Sequence, residues 1–202
     1  MEEKELLEKV ALLFKRFGIK SMTMDEIARQ LGISKKTLYQ FVSNKNELVI
    51  KMMHFYTTRE QDCIDDVFRA SHNAIDELME TTKLVGSQVK EMHQSVMFDL
   101  NKYHPEAFKI LRDHKDQFIY RNIKRNLETG MEEGLYRENL KPELISRLYL
   151  SMVHSIMEPE NFNSTEFSYA DLHLEMMRYH IRGIASAKGR DYLKQKFKKE
   201  NV

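Results

Sequence analysis

Apolar residues recur every three or four positions along most of this chain, and the points where that rhythm breaks divide it into helices. Leu6, Val10, Leu13, Phe14 and Phe17 mark a first helix from about residue 2 to 17, which Gly18 ends. Ile27, Leu31, Ile33, Leu38 and Phe41 fit two short helices packed on each other across Gly32, with the small Ala28 allowing close approach. Thr23 with Glu26 has the spacing of a capping box, and Ser34 can cap the helix that follows. Ser43 or Asn44 can then cap a long helix from about Lys45 to Phe68 carrying Leu48, Met52, Phe55, Tyr56, Cys63, Ile64 and Val67. A further helix is predicted over 71–97, and a break at His104–Pro105. A short helix with Phe108, Ile110 and Leu111 and another over 113–133 should follow, the latter capped by Gly134. Residues 143–157 and 168–187 are apolar on two sides, so each must be buried on two sides, and 159–168 reads as a surface loop between them. The tail from Lys188 reads as a solvated, partly frayed helix end.

Composition supports an all-α chain. Glycine (7) and proline (3) are scarce among 202 residues, and no apolar run approaches the roughly 20 residues a bilayer span needs. The charged N-terminus is no signal peptide, and the single Cys63 suits a reducing cytoplasm, the expected location. A net charge of +1 hides a polarity. Residues 15–51 carry eight lysines and arginines against three acids, the last 21 residues carry seven against two, and the middle is acidic.

The second short helix offers Lys35, Lys36, Thr37, Tyr39 and Gln40 away from its packing side, which are phosphate neutralisers and base-edge hydrogen bonders. Any helical hairpin could carry a glycine turn. That polar face instead favours a helix-turn-helix unit with its second helix in a major groove.

Gly32, Ile33, Ser34, Leu38, Tyr39, Lys45 and Leu48 also resemble the signature of the tetracycline-repressor (TetR) family of bacterial regulators. Val42 departs from it where phenylalanine is usual, and Lys36 where a small residue is frequent. Gly130 to Arg137 resembles a later stretch of that family. The resemblance implies a three-helix DNA-binding domain (residues 1–46) followed by a larger helical domain for effector binding and dimerisation (47–202). It also implies a homodimer on palindromic operator DNA, built by the last two helices of each copy, and repression lifted by a small molecule. A helical DNA-binding protein without ligand, controlled by abundance or a protein partner, is the alternative.

On this reading DNA is met by Thr23, Met24, Ser34, Lys35, Lys36, Thr37, Tyr39, Gln40 and Lys45, with Tyr39 and Lys45 on phosphates as in the family. The dimer would use Leu148, Met152, Leu172, Met176, His180, Gly183 and Ala187. A methionine-rich middle suits an apolar or aromatic effector, with Met79, Met92, Phe98, Tyr103, Phe108, Phe118, Tyr120 and Asn122 as candidate lining residues. No phosphate loop, nucleophile elbow or Cys-x-x-Cys occurs, and the eight histidines are scattered. No enzyme, metal site or cofactor is therefore expected.

Overall fold

The computed structural model describes residues 2–90, 93, 95–157 and 167–200. Ten helices are formed among them: α1 (Glu3–Phe17), α2 (Met24–Gln30), α3 (Lys35–Leu38), α4 (Lys45–Ala70), α5 (Ala74–Lys90), α6 (Val96–Tyr103), α7 (Pro105–Glu132), α8 (Pro142–Met157), α9 (Tyr169–Ile184) and α10 (Ala187–Glu200). They form two compact units, Met1–Cys63 with Glu91–Lys115, and Ile64–Lys90 with Asp116–Val202. The first unit therefore extends past residue 46 and takes in a second stretch of chain. Both α4 and α7 contribute residues to each unit.

In the first unit α1 starts on Glu3 and Glu5 and ends on Lys15 and Arg16, charges that suit the two ends of the helix dipole. Its buried stripe, Leu6, Leu7, Val10 and Phe14, meets Ile27, Ala28, Leu38, Val42, Leu48, Val49 and Met52 in one core. Val42 is 3 % exposed, so the smaller side chain is absorbed inside that core. Phe17 does not cover the hairpin as its spacing predicts. It lies at the surface instead, with the Arg16 guanidinium over its ring. The first unit also takes Val96, Leu100, Ala107 and Leu111 into its core.

The second unit is organised around the start of α5. Asn73 caps that helix by accepting the Asp76 amide at 3.0 Å. Asn126 of α7 donates to the Ala74 carbonyl and to Glu77 Oε1, both at 2.9 Å. The Tyr136 hydroxyl, fully buried, lies 3.0 Å from the same carbonyl and 2.9 Å from Asn126 Oδ1. A Cβ at Gly130 would stand 2.1 Å from the Tyr136 ring, so glycine there makes room for the tyrosine. Pro142 opens α8, where a missing N–H costs nothing. A full capping box of Ser168 and Asp171 opens α9.

Several sequence expectations are corrected. The helix expected over 71–97 is α5 ending at Lys90, with α6 starting at Val96. The break at His104–Pro105 is present, but α7 then runs unbroken through residues 112–113, where no Gly or Pro interrupts it. The last predicted helix stops at Ile184, and Ala185 is extended and bridges to Tyr136. Ala187 thus begins α10 and shares no helix with Gly183. Nor is the tail a frayed end: α10 buries Leu193, while Tyr192 Oη (2.8 Å) and Lys196 Nζ (2.5 Å) both reach the buried carboxylate of Asp76. Most of the loop expected at 159–168 lies outside the described residues.

His180, on α9, is 5 % exposed and packs edge-on against the Tyr149 ring, with centroids 4.9 Å apart. Burial pushes its pKa down to about 4 from an ordinary 6.5. The unfolded chain therefore binds this proton before the folded one does, and stability is lost as pH falls from the unfolded value towards the folded one. In His180→Phe the stability lost between about pH 7 and about pH 5 should shrink by roughly 2 kcal/mol. Urea unfolding at both pH values checks this, and an unchanged pH dependence would contradict it.

Candidate nucleic-acid interface

Two very short helices carry the interface, and caps supply most of their order. Thr23 Oγ1 accepts the Glu26 amide at 3.2 Å, and Ser34 Oγ accepts the Thr37 amide at 3.0 Å. At the far end of α2 the Ile33 amide donates to the Ala28 carbonyl (3.0 Å) and the Gly32 amide to that of Arg29 (3.1 Å). This pair of hydrogen bonds is the Schellman ending, and it needs the left-handed backbone that Gly32 adopts at φ +68°. Leu38 and Ile27, both fully buried, hold the two helices together beneath the turn.

Packing Leu38 inward turns the polar side of α3 outward. Lys35, Lys36 and Gln40 are exposed, and Tyr39 is 42 % exposed. Thr37 is half-buried, and its hydroxyl lies 2.8 Å from Ser34 Oγ. Thr23 is exposed and Met24 half-buried at the start of α2. The Lys35 ammonium lies 2.7 Å from Asp25, which raises its pKa through a hydrogen bond and charge attraction. A phosphate at Lys35 must therefore displace a carboxylate. Lys36, Tyr39 and Gln40 form an outward patch of one ammonium, one phenol and one amide. That patch suits phosphate neutralisation together with hydrogen bonding to base edges.

Lys45 differs from the others. Its Nζ donates to the Ile19 carbonyl at 2.7 Å, with the Lys20 carbonyl at 3.5 Å. Partial burial lowers its pKa, against a smaller upward pull from Asp99. Two turns further along α4, Lys51 donates to the Phe41 carbonyl at 2.8 Å and to Glu3 at 2.7 Å. The first turns of α4 thus hold both the α1–α2 connection and the end of the α3 segment. Reasoning from sequence missed Lys51 and every contact made by α6, because those partners lie far apart in the chain.

The other candidate groups fare unevenly. Met79, Phe118, Tyr120 and Asn122 belong to the second unit, whereas Phe98, Tyr103 and Phe108 belong to the first. The eight therefore do not come together within either unit, and Met92 lies outside the described residues. Phe98 and Tyr103 are 51 % and 39 % exposed, since α6 turns Val96, Asp99 and Leu100 inward. Of the dimer candidates, Met176 and His180 are already buried within the single chain, on the side of α9 that faces its own core. Leu148 is 53 % exposed, Met152 and Leu172 are half-buried, and Gly183 and Ala187 are exposed. The outward apolar residues of α8 and α9 are Leu144, Leu148, Leu174 and Tyr179. Among the described residues no three His, Cys, Asp or Glu side chains gather as a metal site would need, and no helix is long and apolar enough to cross a membrane.

A capped helix-turn-helix with an outward basic second helix, closed by α1 and α4, defines a DNA-binding protein. Residues 6–52 match the family described as bacterial regulatory proteins, tetR family. The N-terminal domain is that of the TetR family, and its relatives are named as transcriptional regulators, which makes the chain a DNA-binding regulator. It is similar to the HTH-type transcriptional regulator YvaF of Bacillus subtilis, at 25 % identity over 78 % of this chain and 82 % of that one. It is also similar to the HTH-type transcriptional repressor KstR2 of Mycobacterium tuberculosis, at 25 % over 71 % and 73 % respectively. In fold it resembles a transcriptional regulator from Cytophaga hutchinsonii (TM-score 0.73, 15 % identity, 91 % of this chain and 98 % of that one). A regulator from Saccharomonospora viridis solved in complex with choline shares the fold as well (TM-score 0.68, 14 % identity, 91 % and 97 % covered).

Only conformation constrains Gly32, since a Cβ there would meet nothing within 4 Å. Gly32→Ala should therefore cost about 1–2 kcal/mol through backbone strain alone. Chemical denaturation of the two proteins measures it; a variant as stable as the parent would show that the turn tolerates another conformation.

Proposed function

We propose that the chain is a homodimeric repressor whose α3 helices read a palindromic operator, and that a small molecule bound in the second unit releases the DNA. The carrying observation is the outward face of Lys36, Tyr39 and Gln40, presented on a helix whose other side is locked into the core by Leu38. Lys36 and Gln40 are read as base contacts with Thr37, and Tyr39 as a phosphate contact, with Ser34, Lys35, Thr23 and Met24 completing the footprint. A relative named as a repressor supports repression as the outcome. The cytoplasm, where the operator lies, is the place of action.

Dimerisation is supported by Leu144 and Leu148 on α8 with Leu174 and Tyr179 on α9, four large apolar side chains left exposed within a single chain. Gly183 is exposed too, and a Cβ there would meet nothing within 4 Å, which leaves room for a second helix to come close. A two-fold dimer would set its recognition helices about 34–36 Å apart, in successive major grooves.

An effector is supported by three buried polar atoms without a protein partner: Thr81 Oγ1 on α5, Asn122 Nδ2 on α7 and His180 Nε2 on α9. Each sits in the second unit, and buried polar groups ordinarily find a hydrogen-bond partner. Burial keeps His180 neutral, so an uncharged, largely apolar molecule bearing an oxygen or nitrogen suits these groups better than an anion. Of the lining residues expected from sequence, Asn122 is retained on this reading, and Met79, Phe118 and Tyr120 lie in the same unit. A choline complex in a protein of the same fold supports small-molecule binding in general.

Three measurements test the reading. Against a duplex site selected by the protein from a randomised library, Gln40→Ala should relax preference at particular base pairs by about 1–3 kcal/mol. Unaltered preference at every position would remove α3 as the reader. Leu148→Arg should convert a dimer to a monomer in sedimentation and lose the palindromic site; a stable dimer would move the interface elsewhere. For the effector, a thermal-shift screen of neutral apolar compounds should yield a binder that weakens DNA affinity about 5–150-fold, and the DNA should weaken that binder by the same factor. A binder without such coupling is not the effector.

A further inference from the structure

The α1–α2 connection is gripped from both ends, by a carboxylate of α6 and an ammonium of α4. Asp99 of α6, 3 % exposed, accepts the backbone amides of Ile19 (3.0 Å) and Lys20 (2.9 Å) on one oxygen. Lys45 of α4 takes the carbonyls of the same two residues. An anion on the N–H side and a cation on the C=O side align with the peptide dipoles between them, and such charge-assisted bonds are stronger than neutral ones. Ser95 Oγ supports the aspartate at 3.2 Å, and His93 Nδ1 lies 3.0 Å from that hydroxyl. The His93 amide in turn donates to the Lys15 carbonyl at 2.7 Å, on the last turn of α1. The approach is tight. Gly18 has φ +80°, and a Cβ there would stand 2.5 Å from Ser95 Oγ. The connection leads directly into Thr23 and α2, so whatever holds it sets where α2 and α3 begin.

We propose that Asp99 and Lys45 are positioning residues for DNA recognition, a clamp through which α6 and α4 fix the helix-turn-helix against α1, and that Lys45 acts through this turn and not as a phosphate contact. The proposal rests on α3 as the reading helix, and Gln40→Ala tests that reading separately.

Simple electrostatics makes the opposite forecast for Asp99, which gives the test its sign. Removing a carboxylate from a DNA-binding unit raises attraction for any duplex. Loss of the clamp instead weakens the selected site while leaving a scrambled duplex of equal length bound as well as before, or better. In Asp99→Ala the affinity for the selected site should fall about tenfold or more, the scale of unmaking bonds to buried amides. Asp99→Asn keeps an acceptor oxygen and should fall less, and it keeps the experiment open should the alanine variant fold poorly. Hydrogen exchange should quicken in a peptide covering residues 18–22 and stay unchanged over α8 and α9. Lys45→Ala should lose specific affinity by a similar factor with the salt slope unaltered, and the double variant should be no worse than the weaker single one. Three results would each overturn the proposal. They are Asp99→Ala and Asp99→Asn binding the selected site like the parent or tighter, selected and scrambled duplexes weakening together, or Lys45→Ala reducing the salt slope by about 0.9, the mark of one lost phosphate contact.

Discussion

Helices of seven and four residues cannot hold themselves together, because most of their backbone groups fall outside the helical ladder. The reading head of this protein depends on meeting that deficit from outside the helices. Thr23 and Ser34 take amides at the starts, the Gly32 ending takes carbonyls at the close of α2, and Lys51 takes the Phe41 carbonyl after α3. Fully buried Leu38 and Ile27 then add the apolar contact that makes the arrangement worth keeping. The long α4 supplies Lys51 to this scheme and Lys45 to the connection that precedes α2, so a stable helix lends its order to two that lack it.

Signals that act over three or four residues were readable in the chain. The Thr23 and Ser34 caps, the Gly32 turn, the His104–Pro105 break and the proline at the start of α8 all depend on neighbours in sequence. The outward face of α3 followed from them, since burying Leu38 leaves its polar neighbours only one way to point. What could not be read depends on partners far away. Asp99 looks like one acid in an apolar helix until its bonds to residues 79 and 80 positions earlier are seen. Likewise, two-sided apolarity in α8 and α9 says that both sides are covered, yet not which side meets the chain's own core. Tyr149, Val153, Met176, Met177 and His180 went inward, leaving Leu144, Leu148 and Tyr179 outside.

With α3 as the proposed reading helix, its face illustrates how a sparing net charge can serve recognition. Lys35 already has a carboxylate, Asp25, at 2.7 Å, and Lys45 is committed to backbone carbonyls. Lys36 is the lysine of this face left outward without an internal ion pair among those described. Fewer uncommitted cations mean a weaker pull on arbitrary duplex, so a larger share of the binding energy has to come from contacts that depend on shape and sequence.

The attachment of α10 has a consequence for how the chain is made. Asp76 finds its two partners at Tyr192 and Lys196, 116 and 120 positions downstream. Every residue of the first unit, by contrast, has been synthesised by position 115. A growing chain leaving the ribosome can therefore complete its DNA-reading head while the second unit still waits for its last helix, with a carboxylate and the Leu193 site uncovered. Proteases and chaperones would meet this protein first as a finished head on an open body.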